Sequence, residues 1–200
     1  MAKARIAVLV SGGGTNLQAL IDAQKSGVIT SGTIALVIAN NPDAYALQRA
    51  DNAGIYREIV LKKQLGSQAA FEQRIKDLLR EHKIDLIVLA GFMSILSEEF
   101  TKDFPERIIN VHPSLIPSFC GKGYYGLRVH EEALQYGVKV TGATVHFVNE
   151  IPDGGRIIMQ KAVDILDTDT PETLQKRVME QAEWIILPAA VEQVSKQLIG

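Results

Sequence analysis

The chain has 200 residues, 46% hydrophobic and 22% charged, an ordinary globular mixture with enough apolar material for one domain and a real core. Its 21 basic and 23 acidic residues leave a net charge of −2 with no basic run, so nothing recommends a nucleic acid or an anionic membrane as partner. The single cysteine, Cys120, excludes an internal disulfide, no stretch nears the roughly 20 apolar residues of a membrane span, and the apolar run at 6–10 is too short for a signal peptide, so the expected location is cytoplasmic.

Residues 6–10 are a continuous apolar run closed by Ser11-Gly12-Gly13-Gly14, the pattern of a strand buried on both faces. Thr15 and Asn16 stand where they can cap a helix whose stripe is Leu17, Leu20 and Ile21, ended by Gly27. A second strand over 33–39 closes in Asn40-Asn41-Pro42-Asp43. A helix over 46–53 stops at Gly54, and a third strand is expected over 56–61. Phe71, Ile75, Leu78, Leu79 and His82 recur at helical spacing, and 86–90 is another buried strand. Alternation of this kind calls for an α/β fold: an open, mostly parallel twisted sheet with helices on both faces, its first half nucleotide-binding-like.

The pattern then changes. Residues 91–96 form a loop, Ser97 caps a short helix to 104, and a strand over 108–111 feeds Asn110-Val111-His112-Pro113-Ser114-Leu115-Ile116-Pro117. A glycine-rich loop containing Phe119-Cys120-Gly121-Lys122-Gly123-Tyr124-Tyr125-Gly126 leads to a helix ending at 136. Two longer strands over 141–148 and 157–163 are expected to be antiparallel. The tail over 170–198 reads as helical, with Thr170 as N-cap, Pro171 as first residue, and Pro188 kinking or dividing it. One domain over 1–200 is the expectation, with a front half at about 1–100 and a mixed second half at about 101–200.

Several residues can carry chemistry. Gly12 to Asn16 lie between a strand and a helix, where free N–H groups and the helix dipole favour a phosphate. A dinucleotide fingerprint would need glycine at Leu17, and a P-loop a Gly-Lys pair that is absent, which leaves a monophosphate or a plain turn. Asn110 and His112 are two residues apart on extended backbone and point to one side. An amide and an imidazolium are what acyl transfer to an amine needs for its oxyanion and its protons; the alternative is a structural histidine. A charged imidazole near neutral pH calls for a carboxylate, and Asp153, in Asp-Gly-Gly, is the candidate, with a surface turn as the alternative. His146, on one strand face with Thr144, is structural or lines the same cleft. Asp164, Asp167 and Asp169 read as a turn and helix cap, so no metal site is expected. Cys120 has no activating neighbour, and His82 and His130 receive no role.

Five blocks in one order along the chain resemble the phosphoribosylglycinamide formyltransferase family: Ser-Gly-Gly-Gly-Thr-Asn-Leu-Gln-Ala at 11–19, Leu-Ala-Gly-Phe-Met-Ser-Ile-Leu at 89–96, Asn-Val-His-Pro-Ser-Leu at 110–115, Gly-Ala-Thr-Val-His-Phe-Val at 142–148 and Asp-Gly-Gly at 153–155. The resemblance implies the formyltransferase fold and transfer of a formyl group from 10-formyltetrahydrofolate, as co-substrate, to the primary amine of glycinamide ribonucleotide. It implies that Gly14, Thr15 and Asn16 bind the substrate phosphate. Gln68, Met93, Ser94, Ile95, Leu96 and Asn110 would contact the folate, Asn110, His112 and Asp153 would be the catalytic trio, and Glu183 would hold the substrate amine. The family often has arginine where this chain has Gln68 and Ser94, which implies weaker contact with the folate's glutamate tail. The 119–126 loop is also longer and more aromatic than in some relatives.

The implied mechanism is direct transfer through a tetrahedral intermediate, by a monomer or homodimer. The rival within that superfamily is a formyltetrahydrofolate hydrolase, which usually has His-His-Ser where this chain has His112-Pro113-Ser114, and an added regulatory domain for which this chain leaves no room. A transfer-RNA formyltransferase would need an RNA-binding domain and a basic surface. A non-catalytic phosphate sensor would leave Asn110, His112 and Asp153 unexplained.

Overall fold

The apolar runs become the centre of one seven-stranded sheet in the computed structural model, which describes residues 2–200. The strands are β1 (Ala4–Val10), β2 (Gly32–Ala39), β3 (Arg57–Ile59), β4 (Leu86–Leu89), β5 (Ile108–His112), β6 (Val140–Phe147) and β7 (Ile157–Asp164). Their order is β3-β2-β1-β4-β5-β6-β7; the first five are parallel, and β6 and β7 are antiparallel to their neighbours. The helices are α1 (Thr15–Ser26), α2 (Ala46–Asn52), α3 (Lys62–Leu65), α4 (Gln68–Glu81), α5 (Glu98–Asp103), α6 (Arg128–Tyr136), α7 (Pro171–Val178) and α8 (Trp184–Ile199). None of the described helices is long and apolar enough to cross a membrane.

β1 is apolar on both faces because both are covered. Ile6, Val8 and Val10 pack in one layer with Leu17 and Leu20 of α1 and Leu187 and Val191 of α8. Ala7 and Leu9 pack in the other with Phe71, Ile75 and Leu78 of α4 and Phe100 of α5. Fully burying each large apolar side chain contributes about 1.5–3 kcal/mol, so these two layers fix where the strand ends lie. The chain runs from β1 outward to β3, then returns to β4 on the other side of β1. The crevice beyond the carboxyl ends of β1 and β4 is therefore the topological switch point, where open α/β sheets bind ligands.

Three local expectations change. Thr15 and Asn16 do not cap α1; Gly14 is the N-cap, left-handed at φ +71, with no side-chain cap. A Cβ on Gly14 would lie 2.6 Å from the Cβ of Ala46, so close approach of α2 and the left-handed turn together require glycine. β3 shrinks to Arg57–Ile59, the residues that pair with Val37–Ala39 of β2, and Lys62–Leu65 forms the one-turn α3. The C-terminal helix is divided, but not at Pro188: a π-turn, Met179–Glu183, separates α7 from α8, and Pro188 lies inside α8. Proline lacks the N–H that would bond the carbonyl four residues back, so its disturbance falls on the preceding turn, and the wide turn ends just there. The start of α7 is as expected, with Thr170 capping and Pro171 first.

Candidate active site

Alternation along β5 sends Asn110 and His112 to one side, and the antiparallel ladder sets His146 opposite Asn110 and Thr144 opposite His112. Asn110 Nδ2 is 3.2 Å from His146 Nε2. His146 Nδ1 bonds the carbonyl of Phe147 at 2.8 Å, so that nitrogen carries a proton, and Nε2 lies between the Asn110 amide and Asp153. Asp153 stands between the two imidazoles, with Oδ2 3.5 Å from His112 Nδ1 and Oδ1 3.5 Å from His146 Nε2. The Gly121 N–H donates to Asp153 Oδ2 at 2.8 Å, and His112 Nε2 meets the carbonyl of Phe119 at 2.8 Å.

The Asp-Gly-Gly segment earns its glycines here. Asp153 is left-handed at φ +57, and a Cβ on Gly155 would lie 1.7 Å from the Phe147 carbonyl oxygen, so only glycine lets the loop press against the end of β6. Burial alone would raise Asp153. The hydrogen bond to His146, the His112 ring and the Gly121 amide outweigh it and hold the carboxyl below its usual range. His112 goes the other way from the simple expectation. Burial lowers it, and the lift from Asp153 and the Phe119 carbonyl does not compensate, so the ring is neutral at rest near pH 7. The carboxylate supports the imidazole as anticipated but does not by itself charge it.

A cleft of about 640 Å³ opens on Asn110, His112 and Asp153, walled on one side by Met93, Ser94 and Ile95 and on the other by 121–126. A side pocket of about 120 Å³ reaches His146 and Leu96 past Asn110 and Asp153. His146 thus belongs to the site as well as to the sheet. Among the described residues no group of three or more His, Cys, Asp or Glu is placed to hold a metal ion.

At the other end, the first turn of α1 presents N–H groups and the positive end of its dipole at the glycine turn. Asn16 Nδ2 donates to Glu183 Oε2 at 2.6 Å, while Asn16 Oδ1 is buried without a partner. Glu183 is buried in the π-turn, and burial pushes it up to about 6 against the pull of the Asn16 bond. π-turns inside helices often mark functional positions. Arg49 of α2 donates from Nε to the Gly13 carbonyl at 2.8 Å, which keeps a cation beside the turn.

A model of the formyl transferase family matches residues 4–191. The chain belongs to the formyl transferase family. It is 44% identical over 188 residues to the phosphoribosylglycinamide formyltransferase of Haemophilus influenzae, covering 94% of this chain and 85% of that one. It is 45% identical over 193 residues to the trifunctional purine biosynthetic protein adenosine-3 of Gallus gallus, where the match covers 96% of this chain; the chain spans 18% of that protein's length. The crystal structure of glycinamide ribonucleotide transformylase 1 from Symbiobacterium toebii superposes with a TM-score of 0.91 at 40% identity, covering 98% of this chain and 89% of that one.

In this formyl transferase the loop 91–96 is fixed from behind. Met93 N–H donates to Ser11 Oγ at 2.8 Å, and Ser94 Oγ accepts from Asn40 Nδ2 at 2.8 Å. Gln68 does not line the cleft. Its amide is spent on Glu72 Oε1 at 2.6 Å and the Ile95 carbonyl at 3.1 Å. Glu72, unremarked in the sequence, is buried and also accepts from Ser97 N–H at 2.6 Å and Ser97 Oγ at 2.5 Å. Its signal was available: a carboxylate next to Phe71 on the apolar stripe of α4. Thr144 reads in the sequence only as a strand residue. Its buried hydroxyl donates to the Ser114 carbonyl at 2.7 Å and accepts from Ile116 N–H at 3.1 Å, tying down the segment that follows His112. Asp169 stands in the predicted turn just before the Thr170 cap: it accepts from Leu166 N–H at 2.8 Å and pairs with Arg177 at 2.6 Å.

Proposed function

We propose that this chain transfers the formyl group of 10-formyltetrahydrofolate to the primary amine of glycinamide ribonucleotide, giving N-formylglycinamide ribonucleotide and tetrahydrofolate in de novo purine biosynthesis. The observation that carries the reading is Asn110 and His112 meeting Asp153 on a cleft, in a chain 44% identical to the Haemophilus influenzae protein named for that reaction.

The amine attacks the formyl carbon, and the carbonyl oxygen of the tetrahedral intermediate takes the negative charge. The Asn110 amide donates to it, and His112 stabilises it through the positive charge of its ring once protonated. His112, neutral at rest because it is buried, gains a reason to hold a proton only as that charge develops, so its contribution is larger in the transition state than in the ground state. Asp153, held ionised, orients the ring and keeps its proton affinity above what burial alone would leave. The intermediate collapses with cleavage of the bond from the formyl carbon to the folate nitrogen. The proton lost by the amine ends on that nitrogen, carried by His112 and a water. No covalent enzyme intermediate forms.

Gly14, Thr15 and Asn16 take the ribonucleotide phosphate at the N-terminus of α1. Glu183, whose charge changes near pH 6, holds the substrate amine. Met93, Ser94, Ile95, Leu96 and Asn110 flank the folate, with His146 in the side pocket. Gln68 acts by bracing the wall, and since Ser94 is uncharged, neither residue offers a cation to the folate's glutamate carboxylates. The test is an absorbance assay for the folate product with and without glycinamide ribonucleotide. Product only when the amine is present is the expected result. Product without it would make the chain a hydrolase, and no product under either condition would remove the catalytic reading.

A further inference from the structure

The segment after Pro117 reaches back into the site with its main chain. The Phe119 carbonyl and the Gly121 N–H grip two members of the trio, His112 Nε2 at 2.8 Å and Asp153 Oδ2 at 2.8 Å. A carbonyl can only accept, so the first bond puts the proton of a neutral His112 on Nε2 and turns Nδ1, the nitrogen left to take up a proton, toward Asp153. Phe119 achieves this at φ +48, a left-handed conformation that a bulky residue adopts only when its surroundings hold it there. The ring has its own contacts, edge-on to Tyr124 at 6.5 Å and to Tyr136 at 6.0 Å between centroids. Two explanations for the residue therefore compete, one resting on its backbone and one on its ring.

We propose that Phe119 is a positioning residue whose left-handed backbone aims a main-chain carbonyl that sets the tautomer and orientation of His112. For the reaction the proposal rests on the function proposed above; for the histidine it stands on geometry. The titratable groups near His112 are Asp153 from the β6–β7 loop, His146 of β6 and His130 of α6. None of them supplies an acceptor to Nε2; Asp153 also only accepts but stands 3.5 Å from Nδ1, against 2.8 Å for the carbonyl at Nε2, so the closer acceptor decides which nitrogen of the neutral ring keeps the proton. Asp153 and the carbonyl both favour a charged ring, while His146 opposes it.

The test compares Phe119→Gly and Phe119→Asn, which tolerate the left-handed region but lose the ring, with Phe119→Val, which keeps apolar bulk but disfavours that region. The readouts are the ring ¹⁵N shifts of His112 in the free protein, the pH profile of kcat, KM for both substrates, and thermal unfolding. The backbone role predicts an Nε2–H ring in the wild type, Phe119→Gly and Phe119→Asn, with kcat within about threefold of wild type. For Phe119→Val it predicts a mixed tautomer, a kcat lower by about tenfold or more, and the limb of the profile that reports His112 moved to lower pH, with KM little changed. The reverse order, with Phe119→Val near wild type and folded Phe119→Asn impaired, would assign the residue to its ring and overturn the proposal. So would an Nδ1–H ring in the wild type, or equal behaviour of all three variants. Because the ¹⁵N shifts are read without substrate, a wild type that fails to transfer formyl would reject the function while leaving this inference decided on its own evidence.

Discussion

Glu183 and Asp153 are both carboxylates largely withdrawn from water, one in the π-turn beside the N-terminus of α1 and one in the loop between β6 and β7. Glu183 has a single side-chain hydrogen bond, from Asn16, and burial wins: it is pushed up to about 6. Asp153 has two imidazoles and a backbone amide, and they win over burial, so it stays ionised. The same side-chain chemistry thus yields a group that changes charge near neutral pH and a fixed anion, and the number of donors around each decides which.

The largest expected effect breaks the Asp153 side of that comparison. Asp153→Asn keeps the shape but removes the charge that supports His112, and kcat should fall by about a hundredfold or more with the fold retained. Steady-state rates beside thermal unfolding check this. The stabilities should differ in sign as well. Asp153 has a lowered folded value, so its stabilisation is present above the usual carboxylate range and is lost as pH falls through that value. Asp153→Asn should be less stable than wild type at neutral pH, with the gap closing on acidification.

Glu183 is the opposite case. Its folded value is raised from 4.5 to about 6, so its contribution is fully present below pH 4.5 and is lost as pH rises through 6. Folding at pH 8 carries a burden of about 2 kcal/mol from the buried charge. Glu183→Gln should therefore be the more stable protein at pH 8, by about that amount, and nearly equal to wild type at pH 4.5 in denaturant titrations. An unchanged or reduced stability at pH 8 would show that Glu183 has more donors around it than Asn16 alone.

The smallest effect concerns Glu72, a third buried carboxylate, which faces the Ser97 N–H, the Ser97 hydroxyl and the Gln68 amide. Glu72→Gln would turn an amide N–H₂ toward those donors and loosen the 91–96 wall. KM for the folate should rise about fivefold, the equivalent of about 1 kcal/mol, with KM for the ribonucleotide unchanged. Equal rises in both would mean that the wall serves the whole site.

The parts of this molecule that were legible in its sequence are those set by local pattern. Continuous apolar runs announced β1, β2, β4 and β5, Thr170-Pro171 announced the start of α7, and alternation put Asn110 and His112 on one face. What was not legible depends on partners distant in the chain. Asp153 could be named a candidate, but the sequence does not show that burial would lower His112 despite it, since desolvation comes from the packed neighbours. Gln68 was expected at the folate and is a brace, because Glu72 and the Ile95 carbonyl claim its amide. The break in the C-terminal helix is expected at Pro188 and lies before it, in the π-turn over Met179–Glu183, while Pro188 is accommodated inside α8. The grip of Phe119 and Gly121 on the site is made by main-chain atoms, which every residue type possesses, so no letter in the sequence announces it.

The most direct test of the central claim is the single-turnover rate of formyl transfer by His112→Ala with both substrates saturating. A rate about a hundredfold or more below wild type, with thermal unfolding unchanged, is the predicted result. Transfer within a few-fold of wild type would contradict it and would move the chemistry away from the strand end where Asn110, His112 and Asp153 meet.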